Sequence, residues 1–133
     1  GFDDKLKGLK HKEFNEKTLK EILSIHYELT TFFKELTGKG KRSLASKYLH
    51  FHVQVFPIYD SRANDSLNKI VKGKIGDATF ECDRSYYKFC TKLIYLFDEI
   101  KNKTGKTPTL REIDTFLVKV ANDRLNKLNG IKK

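Results

Sequence analysis

At 133 residues the chain is sized for one domain, and ten Phe with six Tyr supply enough aromatic bulk for one core, which excludes a disordered chain. Lys and Arg outnumber Asp and Glu by 27 to 17, a formal charge of +10 that favours polyanionic partners, DNA or RNA first. With no apolar run near the roughly 20 residues that span a bilayer, and only Cys82 and Cys90 as thiols, the expectation is a reduced, cytoplasmic protein with no metal, no cofactor and no membrane partner.

Leu19, Ile22, Leu23, His26, Leu29, Phe32, Phe33 and Leu36 recur at helical spacing and predict an amphipathic helix from about Asn15 to Leu36, ended by Gly38 and Gly40. Ser43 is a candidate cap for a shorter helix running to about His52. The stretch from Val53 to Tyr59, interrupted by Pro57, alternates too briefly for a strand and reads as a connector packed on the core. Asp60 is placed to cap a third helix over Ser61 to Val71, and Gly73 and Gly76 break the chain again. Tyr86, Tyr87, Phe89, Cys90, Leu93, Ile94, Phe97 and Ile100 mark a fourth helix between Asp83 and Gly105. Thr109 and Glu112 form a capping box ahead of a fifth stripe through Leu110, Ile113, Phe116, Leu117, Val120, Leu125 and Leu128. The fold class is therefore all-α, a compact bundle of about five helices. Residues 1–133 read as a single helical domain, whether whole or part of a longer protein.

Charge is not spread evenly. From Leu36 to Tyr59 there is no acidic residue, while Lys39, Lys41, Arg42 and Lys47 fall inside with His50 and His52. At the centre, Gly38-Lys39-Gly40-Lys41-Arg42-Ser43 ends one helix and opens the next. Glycine permits tight backbone geometry, and the first N–H groups of a helix have no internal partner and suit a phosphate oxygen. Such a clamp positions nucleic acid without reading its bases, with Lys47 and Arg62 as further phosphate contacts. His50 and His52 fall on different faces and do not make a metal pair. Tyr48, Phe51, Phe56 and Tyr59 carry the ring faces on which an extruded base stacks, but aromatics here more often build core; Tyr59 is the best stacking candidate.

The same segment resembles the hairpin of the helix-hairpin-helix DNA glycosylases, written Leu-Pro-Gly-Val-Gly and followed two residues on by a lysine or its substitute. Arg42 falls on the substitute position. Those enzymes carry a catalytic aspartate eighteen residues farther along after an apolar run, and the eighteenth residue after Arg42 is Asp60, in Phe56-Pro57-Ile58-Tyr59-Asp60. The resemblance covers residues 36–65. Thr37 departs from the family's proline, Lys39 from its apolar residue between the glycines, and the four-cysteine iron–sulfur loop is missing. The segment from Ser43 to Arg62 also looks like stretches of uncharacterised bacterial proteins, which allows a role in genome defence. The resemblance implies a monofunctional glycosylase on DNA, duplex more than single strand, with the Asp60 carboxylate stabilising an oxocarbenium-like sugar as the base departs. The rival reading is a non-enzymatic DNA- or RNA-binding module in which Asp60 only caps a helix.

Overall fold

A computed structural model describes residues 1–131, and every regular element among them is helical: α1 (Phe2–Leu9), α2 (Glu16–Thr37), α3 (Arg42–His52), α4 (Ser61–Ile70), α5 (Arg84–Thr104) and α6 (Leu110–Ile131). No helix among these residues is long and apolar enough to cross a membrane. The helix beyond the expected five is α1. Its turns are anchored by Leu6 and Leu9, both buried, but only eight residues long and interrupted by Lys7-Gly8, it gives little periodicity to read.

The helix starts follow local chemistry. Asn15 Oδ1 accepts the amides of Lys17 and Thr18 at 2.9 and 3.3 Å, and the Thr18 hydroxyl oxygen accepts the Asn15 amide at 3.1 Å, closing a reciprocal cap on α2. Thr109 and Glu112 exchange amide contacts of 3.0 and 3.1 Å in the expected box ahead of α6. Asp83 caps α5 through the Tyr86 amide, and Gly105 ends that helix in the left-handed region at φ 74°. Ser43 does not cap α3. The cap position is Lys41, one residue before the helix, and Ser43 lies inside the first turn.

α2 packs on α1, α3 and α5, and α4 packs on α5 and α6, so α5 joins the two halves of the bundle. Its Tyr86, Phe89, Cys90, Leu93, Ile94 and Leu96 are buried. The connector from Val53 to Tyr59 lies on this core as expected, with Val53, Val55, Phe56 and Pro57 buried. Between α4 and α6 the buried Ser66 hydroxyl donates to the Leu117 carbonyl at 2.8 Å. Several residues assigned to apolar stripes turn out to face solvent: Phe32 and Leu36 on α2, and Phe116, Leu125 and Leu128 on α6. Helical spacing marks a face, but whether another element covers it is a tertiary matter.

Behind the junction of α2 and α3 stands a column of rings. His26 is fully buried and stacks on Tyr86 with centroids 3.8 Å apart. The Tyr86 hydroxyl donates to the Pro57 carbonyl at 2.6 Å, and Phe89 meets Tyr59 edge to face at 5.2 Å. His26 Nε2 lies 3.2 Å from the Arg42 carbonyl. A carbonyl only accepts, so this nitrogen carries the hydrogen, and burial, which lowers the ring's pKa from 6.5 to about 4, keeps it neutral at pH 7. The start of α3 and the segment leading to Asp60 are thus both held by one buried column.

Candidate nucleic-acid interface

Four residues, Gly38 to Lys41, join α2 to α3. Gly38 takes φ 82°, the left-handed geometry that only glycine adopts without strain, and its amide closes α2 on the Lys34 carbonyl at 2.8 Å. Thr37, standing where the resemblance has proline, braces the turn. Its hydroxyl lies 2.8 Å from the Phe33 carbonyl and 3.0 Å from that of Lys39, and accepts the Lys39 amide at 3.3 Å. The second left-handed residue is Lys41 at φ 55°, not Gly40. A Cβ on Gly40 would sit 3.5 Å from Thr30 Cβ, an ordinary contact, so glycine is not demanded there by its backbone. Lys41→Gly is accordingly expected to raise stability by about 1 kcal/mol, because a non-glycine residue pays that order of strain in this region. Thermal melting of the variant checks it, and an unchanged or lower midpoint would contradict the argument.

No side chain caps α3 and no acidic residue lies in its first turn. The first internal bond runs from the Ala45 amide to the Lys41 carbonyl at 2.8 Å, so the amides of Arg42, Ser43 and Leu44 are the ones a helix leaves for an outside acceptor. An open cleft of about 510 Å³ lies beside this end of α3, lined by Tyr27, Thr30, Thr31, Lys34, Gly40, Lys41, Arg42 and Asp83. Lys39 and Lys47 are exposed near it in sequence; Arg62, also exposed, lies farther along the chain on α4 and does not line the cleft.

Arg42 itself is engaged inside the protein. Its Nε donates to Asp83 Oδ1 at 2.6 Å and its guanidinium lies 5.4 Å above the Tyr59 ring. Burial works against the charge, but the hydrogen bond and negative charge of Asp83, with Tyr59 beside it, raise the guanidinium above its ordinary value. Tyr59 is half-buried between Arg42 and Phe89, and its amide donates to the Ser46 hydroxyl oxygen at 2.8 Å. It is a packed residue more than a free stacking platform.

Asp60 caps α4. Its Oδ1 accepts the amides of Arg62 and Ala63 at 2.8 and 3.3 Å and lies 3.5 Å from Arg62 Nε. Burial raises its carboxyl, yet the two amides and the Arg62 charge outweigh it and hold the group below its usual range. Sequence reasoning missed its neighbour Asp114 on α6. Burial first, then the charge of Asp60, push the Asp114 carboxyl up, while His50, Lys47 and Arg62 pull it the other way. Its Oδ1 is buried without a hydrogen-bond partner among the described residues. His50 donates from Nδ1 to the Phe56 carbonyl at 2.8 Å. Asp60, Asp114, His50, Lys47 and Arg62 therefore share one electrostatic neighbourhood drawn from three helices and a connector. The available signal was that Asp114 stands four residues after Leu110 and three before Leu117, on the apolar side of its helix, where a carboxylate is out of place.

His52 is exposed, and no group of three or more His, Cys, Asp or Glu side chains among the described residues is arranged to hold a metal ion. Compared with protein-family models, with curated proteins and with solved structures, the chain matches none.

Proposed function

We propose that this chain is a nucleic-acid-binding helical domain that holds DNA phosphate at the turn between α2 and α3, with Asp60 as the carboxylate that assists departure of a base. The observation that carries the reading is the contact of Arg42 with Tyr59: it brings the uncapped start of α3 beside the residue preceding Asp60, although eighteen positions separate Arg42 from Asp60. A carboxylate held in its charged form stabilises positive charge developing on a sugar. Both amide contacts of Asp60 fall on Oδ1, so the cap leaves Oδ2 for that work. Arg42, at the position of the family's lysine, is a permanently charged guanidinium and forms no Schiff base, so the reaction is simple hydrolysis and leaves an intact abasic site.

A second reading, a binder without catalysis, is favoured by the same cap, since two amide contacts explain an aspartate at position 60 with no chemistry at all. Base release from a panel of modified and mismatched duplexes separates the two. In the glycosylase reading Asp60→Asn loses at least about 100-fold in base release while DNA affinity and melting temperature are kept, because asparagine caps as well as aspartate but has no charge. Release by the variant at the parent rate would remove Asp60 from the chemistry, and no release by the parent on any duplex would leave the binder reading.

A further inference from the structure

The buried side of α3 is formed by Ala45, Ser46 and Leu49. The opposite side carries Leu44, Tyr48 and Phe51, spaced four and three residues apart and therefore aligned along one face. All three are open to solvent, at 52, 44 and 81%. Three large apolar side chains in one row on a surface helix mark a contact surface more strongly than scattered exposure would. Tyr48 and the exposed His52 lie ring against ring at 4.4 Å, extending the row toward the end of the helix.

The chemistry around the row says what it fits. α3 contains no acidic residue, Lys47 stands one turn from both Leu44 and Phe51, and the uncapped amides and Lys41 lie at the start of the same helix. An apolar protein surface would satisfy the three side chains and leave this positive rim unanswered. A nucleic acid satisfies both, since an unstacked base offers a flat apolar face and its phosphates offer negative charge.

We infer that Leu44, Tyr48 and Phe51 form a stacking face for unpaired bases, so that this domain prefers single-stranded or locally opened nucleic acid to a fully paired duplex. This rests on the nucleic-acid reading above and adds to it the form of the strand. A paired duplex keeps its base faces covered and meets only the positive rim of α3. An extruded or single-stranded base can lie on Tyr48 or Phe51, and the low rotamer freedom of an aromatic ring keeps the cost of ordering it small.

The test measures affinity for a fluorescent 12-nucleotide single strand, a fully paired duplex and a duplex with a central bulge. It uses the full chain and three variants: Tyr48→Ala with Phe51→Ala, Lys39→Ala with Lys47→Ala, and Phe116→Ala as an exposed aromatic elsewhere. The aromatic double variant is expected to lose about tenfold or more on the single strand and the bulge and less than about threefold on the duplex, while Phe116→Ala changes neither. Alanine suits an exposed helix position, and circular dichroism confirms the fold. If the lysine pair weakens binding and the aromatic pair does not, the stacking face is wrong and the phosphate reading stands. If the parent binds no nucleic acid at low salt, both fall. Self-association abolished by the aromatic pair, with nucleic-acid affinity unchanged, overturns the inference in favour of a second copy of this chain.

Discussion

Lowering the pH from 7 to 4 is expected to remove about 3 kcal/mol of stability through His26 alone. The ring is fully buried and its proton affinity falls from 6.5 to about 4, chiefly because burial penalises the charged imidazolium. The Arg42 carbonyl and the Asp83 charge pull the value back up and the Arg42 charge pushes it down, but burial prevails. The unfolded chain therefore binds a proton that the fold refuses between about pH 6.5 and pH 4. Stability from this group is complete above the upper value and is lost as the pH falls toward the lower one. Because His26 stacks on Tyr86 and holds the Arg42 carbonyl, charging it disturbs the junction of α2 with α3 first. Denaturant midpoints at pH 7, 5.5 and 4 measure the loss. His26→Gln keeps a neutral amide donor for Arg42 and should lower stability at pH 7 while flattening the slope; equal slopes in parent and variant would take the titration away from His26.

Affinity for a DNA duplex is expected to fall about 100-fold between 50 and 200 mM salt, the response of a surface that neutralises about four phosphates. The cations assigned to this are Lys34 and Lys41 along the cleft, with Lys39 in the turn and Lys47 on α3, all exposed. Arg42 is left out because Asp83 already holds it. Lys39→Ala with Lys47→Ala should reduce the slope of log affinity against log salt by about 2, whereas removing Lys101 and Lys103 near the end of α5 should not change it. A parent slope near zero would dismiss the phosphate clamp. A slope unchanged in the first pair would place the contact on a different face.

The two expectations draw on different levels of the molecule. Local chemistry alone announced most helix boundaries: Asn15, Asp60, Asp83 and the Thr109–Glu112 box all cap where their side chains permit, and Gly38 and Gly105 end helices in geometry that favours glycine. These are contacts within four residues, so a linear reading reaches them. Ser43 was misassigned because hydroxyl capping and an ordinary place in the first turn look alike in sequence, and the uncapped Lys41 offers no signal.

An all-helical fold class, the positions of the turns, and a basic segment without a single carboxylate from Leu36 to Tyr59 are legible in the order of residues alone. Which of those features face outward depends on how the helices pack. Arg42 had a partner 41 residues away in Asp83, Asp114 came to Asp60 across the contact of α4 with α6, and His26 became a buried base through Tyr86. Leu44, Tyr48 and Phe51 stayed in solvent because α3 turns Ala45, Ser46 and Leu49 toward the bundle and no other element covers the opposite side. Capping is settled by a residue and its near neighbours, whereas burial, charge pairing and exposure depend on which distant element arrives, and spacing along the chain carries no record of that.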